Sequence, residues 1–256
     1  NNDGIFQPGE TIAVMVRFKN WLNPTSNLSV TLVSKTSDAT VGANATVNFG
    51  AKASGEIFDN SASQFQFTIS QTVPENADLA FILSYSDGTY SDFEWINTTG
   101  NPTYATTMGN NVAVTVTSTG NLGFADYPNN TKGSGFKFDG GNNMLFEGAL
   151  MLSTAQNQVI NSARGSNQSV QDKDFQSEIP FSLKIPGVKA DVEGYGVFND
   201  NLAGGSKLGL QIKQRSYNYS ATADENFTIV RYTIKNTSNL AVSGLYAGLY
   251  FDWDLI

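Results

Sequence analysis

The sequence contains neither cysteine nor histidine. Without cysteine there is no disulfide framework, no thiolate nucleophile, no iron–sulfur cluster and no cysteine zinc site. Without histidine the commonest general base and the commonest metal ligand are missing, and no Ser-His-Asp or Cys-His arrangement can be assembled. A carboxylate pair or a Ser-Lys nucleophile is all that remains for catalysis, and no motif for either stands out, so the chain is read as non-enzymatic. Charge is also scarce. Only 15% of the residues are charged and the formal net charge is −8, with no run of Lys and Arg, which argues against a nucleic-acid or anionic-membrane partner. No apolar run approaches the ~20 residues of a membrane-spanning helix, so membrane insertion is not expected.

The polar positions are filled mostly by Asn, Ser, Thr and Gly, a balance expected of a secreted or cell-surface bacterial β-protein. The opening Asn1-Asn2-Asp3-Gly4 has no initiator Met or signal peptide, and the chain stops on Leu255-Ile256. Both ends read as cut, so the expectation is an internal piece of a longer chain whose other domains are among its partners.

Apolar residues recur with period two. Ile12, Val14, Val16 and Phe18 read as one half-buried strand, followed by Leu28/Val30/Leu32, Ala45/Val47/Phe49, Phe65/Phe67/Ile69 and Leu79/Phe81/Leu83/Tyr85. Asp87-Gly88 is a hairpin signal before Tyr90 to Ile96. Six or seven short strands in about a hundred residues suggest an immunoglobulin-like sandwich. Asn97 to Pro102 contains only turn formers and reads as a linker. The predicted fold is therefore all-β, with two tandem β-sandwich domains: 1–98, immunoglobulin-like, and 99–256, larger and with long loops, its C-terminus expected to be truncated.

In the second domain, strands are expected at Val112/Val114/Val116, Phe136/Phe138, Met144 to Leu152, Phe181/Leu183/Ile185, Leu208/Leu210/Ile212, Phe227 to Ile234 and Leu245 to Phe251. Ser153 to Gln176 and Asn199 to Ser206 read as long polar connections. Ser153 to Ala163 is the best of the weak helical candidates.

Calcium is the one cofactor expected, bound structurally through loop oxygens. Asp3 and Glu10 bracket a stretch similar to the later part of an EF-hand loop, although a turn with a solvated Glu10 explains the same residues. Asp252 and Asp254 fall on one side of a strand with Trp253 on the other, and Asp172 and Asp174 lie in an oxygen-rich loop, as do Asn199-Asp200-Asn201; each also reads simply as a turn or solvated strand end. Arg215, Tyr217 and Tyr219 form the best local candidate for stacking on a sugar, with core packing as the plainer account of the tyrosines.

Two stretches carry a resemblance. Asp3-Gly4-Ile5-Phe6-Gln7-Pro8-Gly9-Glu10-Thr11, with Asn20 and Val73-Pro74-Glu75, resembles the entry of immunoglobulin-like modules that follow the catalytic domain in secreted bacterial subtilisin-like serine proteases. Gly135 to Phe138, Leu145 to Met151, Asp172 to Phe175, Tyr232 to Ser238 and Gly248 to Asp254 resemble the region that comes next in such proteases. The resemblance implies a non-catalytic accessory region that acts as a spacer and binds a protein or cell-surface polymer. A structural or adhesive surface protein, a filament subunit or a glycan-binding module would fit the same composition.

Overall fold

The computed structural model describes residues 5–88, 90–156, 158–163 and 170–254. Strand accounts for 54% of the chain and no α-helix is present among the described residues, so the fold is all-β. The chain divides into two compact units, residues 1–102 and 103–256.

The first unit contains β1 (Thr11–Val14), β2 (Arg17–Lys19), β3 (Thr25–Ser34), β4 (Ala39–Val41), β5 (Thr46–Lys52), β6 (Ile57–Asp59), β7 (Phe65–Ile69), β8 (Ala77–Ser86) and β9 (Ser91–Gly100). Its sheets run β5-β3-β8-β9, β1-β7-β4 and β2-β6. Period-two alternation places Val30, Leu32, Phe65, Phe67, Ile69, Leu79, Phe81 and Leu83 in one core, with the Phe67 and Phe81 ring centroids 4.5 Å apart. Each such buried side chain contributes about 1.5–3 kcal/mol.

Two expectations change here. The stretch from Ile12 to Phe18 is two strands in different sheets, because buried Asn60 interrupts it. Its Oδ1 accepts from the Val16 amide at 2.6 Å and its Nδ2 donates to the Val14 carbonyl at 3.0 Å. Residues 97–100, read as linker, instead complete β9, pairing in register with residues 77–80. Cross-strand pairing satisfies their backbone groups and overrides their turn propensity. Beside them Phe6 makes a parallel bridge to Gly100, and the Asn101 amide donates to the Phe6 carbonyl at 2.7 Å.

The second unit contains β10 (Tyr104–Thr106), β11 (Val112–Thr117), β12 (Asn121–Gly123), β13 (Phe136–Phe138), β14 (Leu145–Ala155), β15 (Gln158–Asn161), β16 (Gln176–Lys184), β17 (Val192–Asn199), β18 (Leu210–Asn218), β19 (Thr228–Asn236) and β20 (Tyr246–Trp253). One sheet runs β10-β11-β12-β14-β15, with β13 joined to β11 and β20 to β14; the other runs β16-β17-β18-β19. The sheets face each other. Leu150, Leu152 and Ile160 pack with Phe198, Leu210 and Ile212, while Val114, Val116, Leu122 and Leu145 pack with Phe181. The weak helical candidate at Ser153 to Ala163 is the β14–β15 hairpin, with Ser153 opposite Val159.

Candidate functional site

Apart from Asp172 and Asp174, the expected calcium ligands do not converge. Asp3 lies outside the described residues. The Glu10 carboxylate accepts from the Gln7 amide at 3.2 Å, closing the Gln7-Pro8-Gly9 turn. Asp254 lies just beyond β20, exposed, and its amide donates to the Met144 carbonyl. Asp252 sits opposite Glu147 in the β14–β20 ladder. Glu147 is fully buried, a carboxylate inside the strand expected from Met144 to Leu152, to which sequence reading assigns no role. Asp200 is buried as well, and its two oxygens accept from the Leu208, Gly209 and Leu210 amides at 2.6, 2.9 and 2.9 Å. That carboxylate organises a turn.

Asp172 and Asp174 do come together, around Asn161 at the end of β15. Asp172 Oδ2 accepts from Asn161 Nδ2 at 3.1 Å and Asp174 Oδ2 accepts from the Asn161 amide at 2.9 Å. Burial raises the Asp174 pKa above the ordinary carboxylate value; the Asn161 amide opposes the rise and the Asp172 charge adds to it. No group of three or more acidic side chains suited to a metal ion occurs among the described residues.

Arg215, Tyr217 and Tyr219 form no open stacking platform. Tyr217 is 8% exposed and packed against its sheet, while Tyr219 lies beyond the end of β18. Arg215 is exposed, with its guanidinium 4.8 Å from the centre of the Tyr195 ring.

One rim of the sandwich in the second unit is accessible along two edge strands. Among the described residues β19 pairs only with β18, and β20 only with β14. The facing sheets meet here, since Val230 of β19 and Phe251 of β20 pack against the same core cluster.

Ladder geometry shows which backbone groups face outward. The Thr237 amide bonds to the Gly209 carbonyl, which makes Leu210/Asn236 a non-hydrogen-bonded pair and turns the amides and carbonyls of Val230, Tyr232 and Ile234 away from β18. In the same way, the bond from the Asp254 amide to the Met144 carbonyl turns those of Ala247, Leu249 and Phe251 away from β14. The same rim exposes apolar side chains. Leu249 is 52% exposed, Tyr246 72% and Trp253 43%, with Trp253 held edge-on against Phe136 and stacked on Phe251. A shallow depression of about 540 Å³ lies at the end of this rim, lined by Leu208, Leu240 and Val242 among others.

An edge that combines outward backbone groups with apolar side chains is a template for another strand. Comparisons with protein-family models, with curated proteins and with solved structures find no match for this chain.

Proposed function

We propose that this chain is a non-catalytic binding module of a secreted or cell-surface protein, and that it engages its partner by accepting an extended strand along the β19/β20 rim. One observation carries the reading: two edge strands turn unused ladder positions outward at the point where the core beneath them is half covered. An added strand would bond to Val230, Tyr232 and Ile234, or to Leu249 and Phe251, while its alternate side chains cover the seam.

The resemblance to subtilisin-associated modules supplies the setting, with an immunoglobulin-like first unit as spacer. An upstream reading frame with Asp, His and Ser in subtilisin order would support that setting; a frame holding only further β-modules would favour an adhesive or filament protein. Structural calcium is proposed at Asp172 and Asp174, whose Oδ1 atoms lie outside the bonds to Asn161. An unchanged melting temperature in excess chelator would remove it.

The test of strand addition uses Val230→Pro and Leu249→Pro. Each deletes an outward donor while leaving the inner ladder intact. Binding of a fluorescent peptide of alternating Val and Thr, followed by anisotropy, is expected to be lost in one or both variants. Equal binding by both variants and the parent would refute the reading. So would slow hydrogen exchange of these outward amides in the isolated monomer. Concentration-dependent dimers that both prolines abolish would make a second copy of the chain the added strand.

A further inference from the structure

The outer face of the β16–β19 sheet carries a cluster of cations that the linear sequence disperses. Strand alternation and register place Lys213 and Arg215 of β18 beside Arg231 and Lys235 of β19, with Arg215 directly opposite Arg231 and Thr233 directly opposite Lys213. All four cations are exposed. They are four of the fifteen Lys and Arg residues in a chain whose net charge is −8, so the patch runs against the charge of the molecule around it.

Cross-strand neighbours have Cβ atoms only about 5 Å apart, and like charges at that spacing destabilise a sheet. The Arg215 guanidinium leans over Tyr195 on β17, the side away from Arg231. Two carboxylates share the face, and both are engaged at its ends. Glu178 accepts from Asn199 Nδ2 and Gln211 Nε2, each at 2.7 Å, and Glu193 accepts from the amides of Val188, Lys189 and Ala190. None of the four cations forms an ion pair with a described carboxylate.

We infer that this face binds an acidic polysaccharide, with Arg215 and Arg231 as the main contacts for its carboxylates and Lys213 and Lys235 extending the track. Charge complementarity selects an anion, and guanidinium groups suit carboxylates because they can bond in a bidentate manner. The neighbours favour a saccharide. Thr233 offers a hydroxyl between the cations, whereas Tyr217 is buried and Tyr195 is covered by Arg215, so that neither strand presents an open ring among the cations and the nearest exposed one, Phe227, lies before the start of β19. The overall negative charge also opposes a ligand as densely charged as duplex DNA. Ile229 is the one large apolar side chain exposed beside these cations on the two strands, too little to anchor a membrane surface. This inference does not depend on strand addition at the rim.

The probe is polygalacturonate, with neutral dextran as control, titrated against the full chain at low salt and at about 0.15 M salt. Binding is expected at low salt and weaker at the higher salt, with none to dextran. R215Q and R231Q should each weaken it roughly tenfold, the scale of one hydrogen bond to a charged group. K35Q removes the same charge from the first unit and should leave binding unchanged. Both arginines are exposed and oppose a like charge, so their variants should melt no lower than the parent. Indifference to polygalacturonate at low salt overturns the inference, as does an R215Q variant that binds no more weakly than K35Q. Tighter binding to duplex DNA or to phosphatidylserine vesicles than to polygalacturonate overturns the ligand class.

Discussion

Replacing Asp200 by Ala should destabilise the second unit more than any surface substitution. One carboxylate there serves three consecutive amides, those of Leu208, Gly209 and Leu210, just where the chain enters β18. The residue is 1% exposed, so water does not compete for these bonds in the folded state. Each stranded donor costs about 1–3 kcal/mol. The loop can open to hydrate some of them, which limits the total to roughly 3–5 kcal/mol. For a unit of this size each kcal/mol shifts the melting temperature by about 2–4 °C, so a fall of ~10 °C is expected. Asp200→Asn keeps an acceptor oxygen but points an amide nitrogen at a donor, and should lose roughly half as much. Thermal unfolding gives the first number; hydrogen exchange of the three amides ties it to this turn. A loss below about 1 kcal/mol, with residues 208–210 still protected, would refute the reasoning.

Asn60→Ala removes both side-chain bonds that bridge Val14 and Val16, and should cost the first unit about 2–4 kcal/mol in urea titration, with faster exchange at the Val16 amide. Gly194→Ala would place a Cβ 2.2 Å from Phe181 Cζ and 2.3 Å from Ser216 Oγ; a loss of about 1–3 kcal/mol is expected, and a neutral result would mean that the Phe181 ring can move aside. The raised pKa of Asp174 means that its ionised form is disfavoured by folding, so this group weakens the fold at neutral pH and the penalty lifts as pH falls through its folded pKa. In calcium-free buffer Asp174→Asn should therefore be at least as stable as the parent at neutral pH and lack that gain in acid, measured as melting temperature against pH.

Strands were readable where one face is apolar and the other polar. β7 is the plainest case: Phe65, Phe67 and Ile69 are buried and Gln66 and Thr68 exposed, as period two demands. β18 shows where the pattern gives out. Its inward residues after Ile212 are Gln214, Ser216 and Asn218, all buried, so the apolar alternation stops halfway along a continuous strand. Asn218 is accommodated by bonds from its Nδ2 to Asn110 Oδ1, the Val112 carbonyl and Thr228 Oγ1. These partners are about a hundred residues away or on the next strand, where no local pattern could reveal them. The cationic face was hidden for a related reason. Lys213, Arg215, Arg231 and Lys235 never adjoin in sequence, and only the β18–β19 register gathers them. The β19/β20 rim required knowing which strands lack a second neighbour, a property of sheet order and not of composition. The acidic residues were legible as residues, but their partners were not: Asp200 holds a turn and Asp172 and Asp174 meet through Asn161.

The parallel bridge between Phe6 and Gly100 bears on how the first unit responds to pulling. The chain enters beside Phe6 and leaves just after Gly100, and the two segments run in the same direction. Tension on the flanking residues draws Phe6 backward and Gly100 forward, so the force acts along the bridge, and the Asn101 to Phe6 bond is sheared. Bonds loaded in this way share the strain and fail together, whereas a hairpin pulled open at its free ends unzips one bond at a time. A pull along the chain through the two ends of the first unit therefore loads this clasp in shear.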